Sequence, residues 1–336
     1  MATYIIAEAG VNHNGDFGLA TQLVDAAADA GADAVKFQTF SASDLVTLEA
    51  PKVTYQKNFD AHSTQYEMLK RLELNPNQFA ELAKYCHLKD IAFLSTAFGS
   101  QELDLLINLG VTAIKVPSGE ITNLLLLEQM ATKAVEYDLP VFLSTGMCTL
   151  GEVEQGLAIF LEKGVTRDSI TILHCTSAYP APEDELNLMS IKTIKTALGC
   201  SVGYSDHSLG ITAPIAAVAL GAVLIEKHLT INRSLEGPDH AASLEPGDFK
   251  KMVAAIRSCE SMLGNGIKYP QKSEMEARLI SRRSIRAKKE IHKGDILDFE
   301  NISAQRPGDG LSPMLYKRLI GKKSTSHYKI GDALSE

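Results

Sequence analysis

Two histidines near the middle of the chain each end a short, mainly apolar segment. His207 closes Gly203-Tyr204-Ser205-Asp206-His207, and His228 closes Leu224-Ile225-Glu226-Lys227-His228. Imidazole nitrogens are common ligands of divalent ions such as Mn²⁺ and Zn²⁺. An ion held there with an open coordination position would polarise a carbonyl group. The alternative is that both histidines are packed core residues with satisfied hydrogen bonds.

The two segments predict neighbouring parallel strands. Residues 200–204 and 222–225 have the apolar content of buried strands, and residues 211–220 between them predict a crossover helix. Consecutive strands of a βαβ unit lie parallel, so their carboxyl ends meet at one edge of the sheet. We therefore expect His207 and His228 at the edge where α/β proteins place their chemistry.

Six further short apolar runs precede this unit and alternate with helical patterns. They are residues 4–7, 34–36, 92–94, 113–116, 141–143 and 170–173. Eight β/α units predict a (β/α)₈ TIM barrel. A doubly wound sheet is the alternative, but no GxGxxG motif follows the first strand. The long connection over residues 40–72 either covers the substrate on the catalytic face or is an inert excursion.

A smaller domain is predicted after the barrel. The last helical pattern of the barrel ends at Gly264, and the polar, charged residues 265–283 indicate a linker. From residue 284 to residue 336 the pattern changes to short strands and glycine turns, without room for another β/α unit. The predicted domains are therefore a barrel over residues 1–264 and a small domain over residues 284–336.

Composition narrows the class of protein. A chain of 336 residues with 45% hydrophobic content can bury one large core. Its formal net charge of −8 argues against nucleic acid or an anionic membrane as a partner. The five cysteines are scattered without a CxxC pair, which predicts reduced thiols and a cytoplasmic location. We expect no signal peptide, and no apolar stretch reaches the ~18 residues that a membrane span needs.

If the barrel forms, the polar residues at the strand ends share one pocket. Lys36 and Lys115 follow apolar strand residues, where an ammonium group needs a carboxylate or a bound anion. The hydroxyl residues expected beside them are Thr96, Ser118, Ser144 and Ser205. We therefore expect a site for a phosphate or a carboxylate. The alternative is that each lysine forms a structural ion pair with Glu8 or Glu120.

Two other polar residues are open to both a functional and a structural interpretation, and two histidines are given a structural one. Glu8 ends the first strand and would serve as a general base or as the partner of a lysine. Asp239 would accept hydrogen bonds from sugar hydroxyls or simply stabilise a turn. We interpret His174 as a packed, hydrogen-bonded histidine, and His13 as part of the structure of a loop.

Several blocks of sequence, in this order, resemble the sialic acid synthase family. They are Ile6-Ala7-Glu8 with Asn12-His13-Asn14-Gly15, Val35-Lys36-Phe37-Gln38-Thr39, Lys115-Val116-Pro117-Ser118-Gly119-Glu120, Ser144-Thr145-Gly146-Met147, Tyr204-Ser205-Asp206-His207 and Glu226-Lys227-His228. The resemblance covers essentially the whole chain. It implies a (β/α)₈ barrel followed by an antifreeze-like (SAF) domain. It also implies a homodimer with swapped C-terminal domains, in which Arg306 reaches the sugar bound to the partner.

The family's reaction condenses phosphoenolpyruvate with water and an open-chain N-acetylhexosamine, usually N-acetylmannosamine. It releases phosphate by C–O cleavage and, from N-acetylmannosamine, gives N-acetylneuraminate. The resemblance implies a divalent ion, Mn²⁺ before Mg²⁺ or Co²⁺, held by His207 and His228. It implies Glu8 and Glu120 as the acid/base pair. The residues matching phosphoenolpyruvate contacts are Lys36, Thr96, Lys115, Ser118, Ser144, Ser177 and Ser205. Those matching sugar contacts are Gln38, Tyr179, Asp239 and Arg306.

Three other functions remain open from the sequence. The first is an N,N'-diacetyllegionaminate synthase that uses 2,4-diacetamido-2,4,6-trideoxymannose. The second is another phosphoenolpyruvate-dependent aldolase, which would act on a phosphosugar and need additional basic residues. The third is a glycan- or ice-binding protein acting through residues 284–336, a function that leaves the strand-end lysines and histidines unexplained.

Overall fold

The computed structural model describes residues 2–53, 56 and 63–335. The chain divides into two compact units, Met1–Gly264 and Asn265–Glu336. The first unit is a closed barrel of parallel strands, in which β1 pairs with both β2 and β8. Its strands are β1 Tyr4–Gly10, β2 Ala34–Thr39, β3 Ala92–Ala97, β4 Ile114–Val116, β5 Val141–Ser144, β6 Ile170–Cys175, β7 Ser201–Asp206 and β8 Leu224–His228. Closure confirms the predicted barrel and excludes the doubly wound sheet.

Helices connect the strands and cover the outside of the barrel. They are α1 Phe17–Asp29, α2 Ala42–Leu45, α3 Gln65–Leu72, α4 Pro76–Leu88, α5 Ser100–Asn108, α6 Leu124–Glu136, α7 Leu150–Glu162, α8 Ser190–Leu198, α9 Thr212–Ala219 and α10 Pro246–Leu263. Local sequence fixes where several of them begin. Asn75 caps α4 in a reciprocal box with Gln78, and the side chain of Asp16 accepts a hydrogen bond from Leu19 N at the start of α1.

The interior of the barrel changes from apolar to polar along the strands. One layer of inward-facing side chains is apolar and consists of Ile6, Ala34, Leu94, Ala113, Leu173 and Leu224. Side chains two residues apart on a strand face the same side. One such step toward the carboxyl end brings Glu8, Lys36, Thr96, Lys115, Cys175 and Glu226 into the next layer. The barrel therefore has an apolar floor and a polar upper half.

The strands that carry the two histidines extend further than the apolar runs predict. β7 continues to Asp206, and β8 continues to His228, which lies opposite Glu8 on β1. The polar residues stay in the strands because parallel pairing with both neighbours satisfies their backbone groups. His228 is therefore held by the barrel wall itself, whereas His207 is the first residue after β7.

The long connection after β2 contains two helices, α2 and α3. Met68 and Leu72 of α3 pack with Val11 and Phe40 in a small apolar cluster. A reciprocal capping box between Thr64 and Glu67 begins α3. The predicted excursion also includes residues 54–55 and 57–62, which lie outside the described part of the chain.

The second unit is built around a small antiparallel sheet. Its elements are α11 Met275–Ser281, β9 Ser284–Ala287, β10 Ile302–Gln305 and α12 Tyr316–Leu319. Its core includes Ile285, Ile291, Ile302 and Tyr328. This architecture fits the predicted SAF domain. Residues 265–283, predicted as a linker, belong to this unit and contain α11.

Across the described residues, every helix is too short or too polar to cross a membrane.

Candidate active site

A cavity of about 400 Å³ opens at the carboxyl end of the barrel. The predicted site residues that line it are Glu8, Lys36, Gln38, Thr96, Lys115, Ser118, Ser144, Ser177, Tyr179, Ser205, His207, His228 and Asp239. Two predicted residues are elsewhere. Glu120 does not line the cavity and accepts a hydrogen bond from the side chain of Asn123 at 2.6 Å. Arg306 is exposed in the second unit.

Lys36 is held by two carboxylates inside the barrel. Its Nζ lies 2.7 Å from Glu8 Oε2 and 3.7 Å from Glu226 Oε2, and it donates to Thr96 Oγ1 at 3.1 Å. Gln38 Nε2 donates to the other oxygen of Glu8 at 3.2 Å. The ion pair of a lysine with Glu8, expected as an alternative to an anion site, is therefore present.

Glu226 joins the second lysine to the first. Lys115 Nζ lies 3.5 Å from Glu226 Oε1 and donates to Ser144 Oγ at 2.8 Å. Ser205 Oγ donates to the same Glu226 oxygen at 2.9 Å. Glu8 and Glu120 are the carboxylates that the sequence predicts as partners of the lysines. In the structure Glu8 does pair with a lysine, but the second carboxylate is Glu226 and not Glu120, because Glu226 faces the barrel interior.

The two buried carboxyls have opposite pKa shifts. Burial, together with the like charge of Glu226, raises the pKa of Glu8 to about 7 against the opposing effect of Lys36. Burial also disfavours the charged form of Glu226, but Lys115 and Lys36 outweigh it and hold the Glu226 pKa below its usual range. Glu226 therefore stays ionised, whereas Glu8 can gain or lose a proton near neutral pH.

A glycine allows two serine hydroxyls to approach the lysines' end of the cavity. Gly146 N donates to Ser118 Oγ at 2.9 Å. A Cβ at Gly146 would collide with Ser177 Oγ and lie 3.0 Å from Ser118 Oγ and 3.2 Å from Cys175 Sγ. The glycine therefore leaves the space that these groups need to line the cavity.

His207 is oriented by a backbone carbonyl. Its Nδ1 lies 2.7 Å from Thr176 O, and since a carbonyl oxygen can only accept, Nδ1 carries the proton. The lone pair of neutral His207 is then on Nε2, which lies 3.2 Å from the hydroxyl of Tyr179. Such a hydrogen bond to one ring nitrogen is what orients a metal-binding histidine.

His228 lies beside His207, with ring centroids 5.6 Å apart. His228 Nδ1 is buried without a hydrogen-bond partner among the described residues, and Asp239 Oδ2 is 4.0 Å away. Buried ring nitrogens are usually hydrogen-bonded, so this unpaired nitrogen favours the metal-site interpretation of His228 over that of a packed core histidine.

Burial keeps both imidazoles neutral. It lowers the pKa of His207, and it lowers that of His228 further, with His207 and Lys36 adding to the effect. Burial raises the pKa of Asp239 to about 6. Neutral imidazoles are the form that binds metal ions. The donor set of His207 and His228 thus fits a borderline divalent ion.

One wall of the cavity is apolar. Met68, Leu69 and Leu72 come from α3, and Phe98 follows β3. The connection after β2 therefore lines the cavity rather than forming an inert excursion. Apolar side chains opposite charged groups let a site hold a ligand that is polar at one end and carries methyl groups at the other.

Glu226 lines the cavity, although the sequence motifs predict no role for it. The signal that identifies it is the alternation along β8, in which Glu226 and His228 face inward together with Leu224. Lys227 does not line the cavity and pairs with Asp206 at 2.5 Å.

The structural interpretations of two other histidines are confirmed. His174 Nε2 lies 2.8 Å from Leu186 O, and His13 Nδ1 accepts from Gly15 N at 3.1 Å within its loop.

The fold and the site define a (β/α)₈ barrel protein with a cavity at its carboxyl end that is lined by two lysines, two glutamates and two histidines. The chain belongs to the NeuB family, the sialic and legionaminic acid synthases, whose family model matches residues 23–268.

Relatives and solved structures resemble this chain over most of its length. The N,N'-diacetyllegionaminic acid synthase of Campylobacter jejuni is 45% identical, covering 99% of each chain. The enzyme of the same name from Legionella pneumophila is also 45% identical, over 99% of this chain and 94% of its own. The crystal structure of N-acetylneuraminic acid synthetase from Leptospira borgpetersenii, in complex with citrate, has a TM-score of 0.72 at 37% identity. It covers 82% of this chain and 90% of that one.

Proposed function

We propose that this protein is a transferase that condenses phosphoenolpyruvate with 2,4-diacetamido-2,4,6-trideoxymannose and water. The products would be N,N'-diacetyllegionaminate and phosphate. The observation that carries the reaction class is the pair of buried lysines, Lys36 and Lys115, beside Glu8, whose pKa burial raises to about 7. The two relatives at 45% identity support this sugar over N-acetylmannosamine, the substrate first expected from the sequence.

Charge balance in the cavity favours an anionic substrate. When Glu8 is protonated, two ammonium groups face the single carboxylate of Glu226, which leaves an excess positive charge. The phosphate and carboxylate of phosphoenolpyruvate would neutralise it. Hydroxyls of Thr96 and Ser144, which already accept hydrogen bonds from the lysines, would then turn to the anion.

Glu8 would move the protons of the reaction. As C3 of phosphoenolpyruvate attacks the sugar aldehyde, protonated Glu8 would donate to the aldehyde oxygen, which becomes a hydroxyl. Ionised Glu8 would then accept a proton from the water that adds at C2, and the adduct would lose phosphate with C–O cleavage. The pKa of about 7 supports both roles, since each needs a carboxyl that exchanges near neutral pH. Glu120, first expected to share this work, lies outside the cavity lining.

His207 and His228 would hold a divalent ion, which we propose to be Mn²⁺. When bound, the ion would supply Lewis-acid polarisation of the aldehyde. Thr176 O fixes the tautomer of His207, and burial keeps both rings neutral, which supports their proposed role as ligands.

The apolar wall supports a deoxy sugar. The proposed substrate has a methyl group at C6 where N-acetylmannosamine has a hydroxymethyl group, and it carries one more acetyl methyl. Met68, Leu69, Leu72 and Phe98 offer apolar surface for these groups. Gln38, Tyr179 and Asp239 would make the polar contacts to the sugar, as the family resemblance implies.

We also propose a homodimer in which Arg306 acts on the partner's site. Several large apolar side chains are exposed around the carboxyl end of the barrel: Leu124, Leu125, Met147 and Leu150. Met147 is 75% exposed beside the cavity. Apolar surface of this kind is typical of a face that a partner covers.

The deciding experiment measures phosphate release from phosphoenolpyruvate with each sugar, in the presence of Mn²⁺. We expect kcat/KM to be at least about tenfold higher for the diacetamido-trideoxy sugar than for N-acetylmannosamine. A preference for N-acetylmannosamine would reassign the protein as a sialic acid synthase, and turnover only of a phosphosugar would refute the class. The variant Lys115→Met should lose activity, whereas exposed Lys250→Met should keep it.

A further inference from the structure

A cluster of three potential metal ligands lies on the second unit, and none of the three lines the barrel cavity. Glu290, His292 and His327 each offer one ligand atom, and the three atoms lie within 4.8 Å of one another. We propose that these three residues form a zinc-binding site. Nothing in the proposed synthase reaction requires it, so the two proposals stand or fall separately.

Backbone pairing places the three side chains on one face. Ile291 and Tyr328 form an antiparallel bridge with two hydrogen bonds, at 2.9 and 2.8 Å, and both residues are buried in the core of this unit. Residues on either side of a buried strand residue point to the opposite, solvent face. Glu290 and His292 flank Ile291, and His327 precedes Tyr328, so all three face solvent. Two ligands at i and i+2 with a third on the facing strand converge on one point.

The side chains are already close to one another. The rings of His292 and His327 stack with centroids 5.0 Å apart and an interplanar angle of 15°. His327 Nε2 lies 2.9 Å from Glu290 Oε1. Ligand atoms of a tetrahedral zinc ion are roughly 3.4 Å apart, as bond lengths near 2.1 Å require. Small side-chain rotations would therefore complete the site, since the backbone is fixed by the core beneath.

A neighbouring carboxylate supports one of the ligands. Asp295 Oδ2 accepts a hydrogen bond from His292 N at 2.8 Å and lies 3.8 Å from His292 Nδ1. That 3.8 Å separation is longer than a hydrogen bond, but a small rotation of either side chain would close it. A carboxylate hydrogen-bonded to one imidazole nitrogen orients the ring and strengthens the other nitrogen as a ligand. Asp295 would thus direct His292 Nε2 toward the ion.

Two imidazoles and one carboxylate favour Zn²⁺ over Ca²⁺ or Mg²⁺, which prefer oxygen ligands. All three side chains are largely exposed, so the fourth position would be open to water. The ion would tie the segment around Ile291 to the segment around Tyr328, which the sheet β9–β10 does not include. Its expected effect is to stabilise the second unit.

The test titrates Zn²⁺ into full-length protein against a chromophoric chelator. His207→Ala serves as the background, so that binding in the barrel is separated from binding at this cluster. We expect His292→Gln and His327→Gln each to remove one Zn²⁺ equivalent, and Asp295→Asn to weaken its affinity about tenfold. The matched control is His87→Gln, which replaces an exposed histidine on α4 and should leave the zinc stoichiometry and affinity unchanged.

A crystal grown with Zn²⁺ gives a second readout that does not depend on activity. An anomalous peak at the zinc edge should lie among the three side chains. Unchanged stoichiometry and affinity in both histidine variants would refute the site, and so would an anomalous map with no peak there. Since the altered side chains are exposed, the variants should unfold at the same temperature as the parent without zinc.

Discussion

Glu226 and Lys227 are consecutive residues of β8, but their charged groups lie on opposite sides of the barrel wall. Glu226 faces inward and contacts both Lys36 and Lys115. Lys227 is fully buried outside the cavity and pairs with Asp206. The pleat of one strand thus separates a charge that organises the substrate site from a charge that stabilises the wall.

This separation predicts different outcomes for two charge-removing variants. Glu226→Gln leaves two buried lysines with one carboxylate fewer, so the free energy of unfolding should fall by about 3 kcal/mol. The lysines would lose their fixed positions, and the KM for phosphoenolpyruvate should change together with kcat. Urea denaturation and phosphate-release kinetics measure the two effects.

Asp206→Asn is the matched variant on the outer side. It should lower the free energy of unfolding to a similar extent, because it leaves the buried Lys227 unpaired, but it should keep the KM for phosphoenolpyruvate. Equal kinetic damage in both variants would show that Glu226 has no distinct role in the site.

Glu8 should control the pH dependence of activity. If protonated Glu8 is needed for phosphoenolpyruvate binding and for the first proton transfer, kcat/KM should fall as the pH rises through about 7. Glu8→Gln should lower kcat about 100-fold and flatten this fall. Exposed Glu154→Gln is the control and should keep the wild-type profile. A wild-type profile that survives in Glu8→Gln would assign the titration to another group.

The same pKa shift predicts a trend in stability. The folded-state pKa of Glu8, about 7, is above its unfolded value of 4.5, so the folded state binds more protons between these values. The stability contributed by protonated Glu8 is complete below pH 4.5 and is lost as the pH rises through 7. As the pH rises from 4.5 to about 7, the free energy of unfolding of wild type should therefore fall relative to that of Glu8→Gln. Chemical denaturation at several pH values measures it.

Gly146 should be intolerant of a side chain. In Gly146→Ala the new methyl group would displace the hydroxyls of Ser177 and Ser118, and the KM for phosphoenolpyruvate should rise about tenfold. Gly151→Ala is the control, since a Cβ there meets nothing within 4 Å. If the two variants have the same KM, the serine hydroxyls do not contact this substrate.

Metal removal should abolish turnover. Dialysis against EDTA should lower the rate of phosphate release, and added Mn²⁺ should restore it. His228→Ala should lose both activity and restoration, because it removes a proposed ligand whose Nδ1 has no hydrogen-bond partner among the described residues. His87→Gln, in an exposed position, should behave as wild type. Full activity of the metal-free protein would contradict the proposed role of the two histidines.

The sequence predicts the barrel because each strand and helix carries its own local signal. The apolar runs locate all eight strands, and the capping box of Asn75 with Gln78 begins α4. Side chains at the strand ends could be assigned to one cavity because parallel strands have a common carboxyl edge. His228 and Lys36 are found in this way.

The pairing of charges could not be predicted in the same way. Whether a lysine meets Glu8, Glu120 or Glu226 depends on the register between strands and on which face each residue occupies. Glu120 follows β4 in a short 3₁₀ turn, Ser118–Glu120, which directs it away from the cavity. The convergence of Glu290, His292 and His327 likewise depends on a single bridge between segments distant in sequence.

The polar upper half of the barrel also bears on how this site could diversify. The groups proposed to hold phosphoenolpyruvate are rooted in the strands, where any change disturbs a closed wall. The apolar wall from α3 belongs to a connection that the barrel does not need for closure. Mutations in that connection could therefore alter the accepted sugar while the shared three-carbon donor is retained. One scaffold can thus supply a series of nine-carbon acids through changes in a single segment.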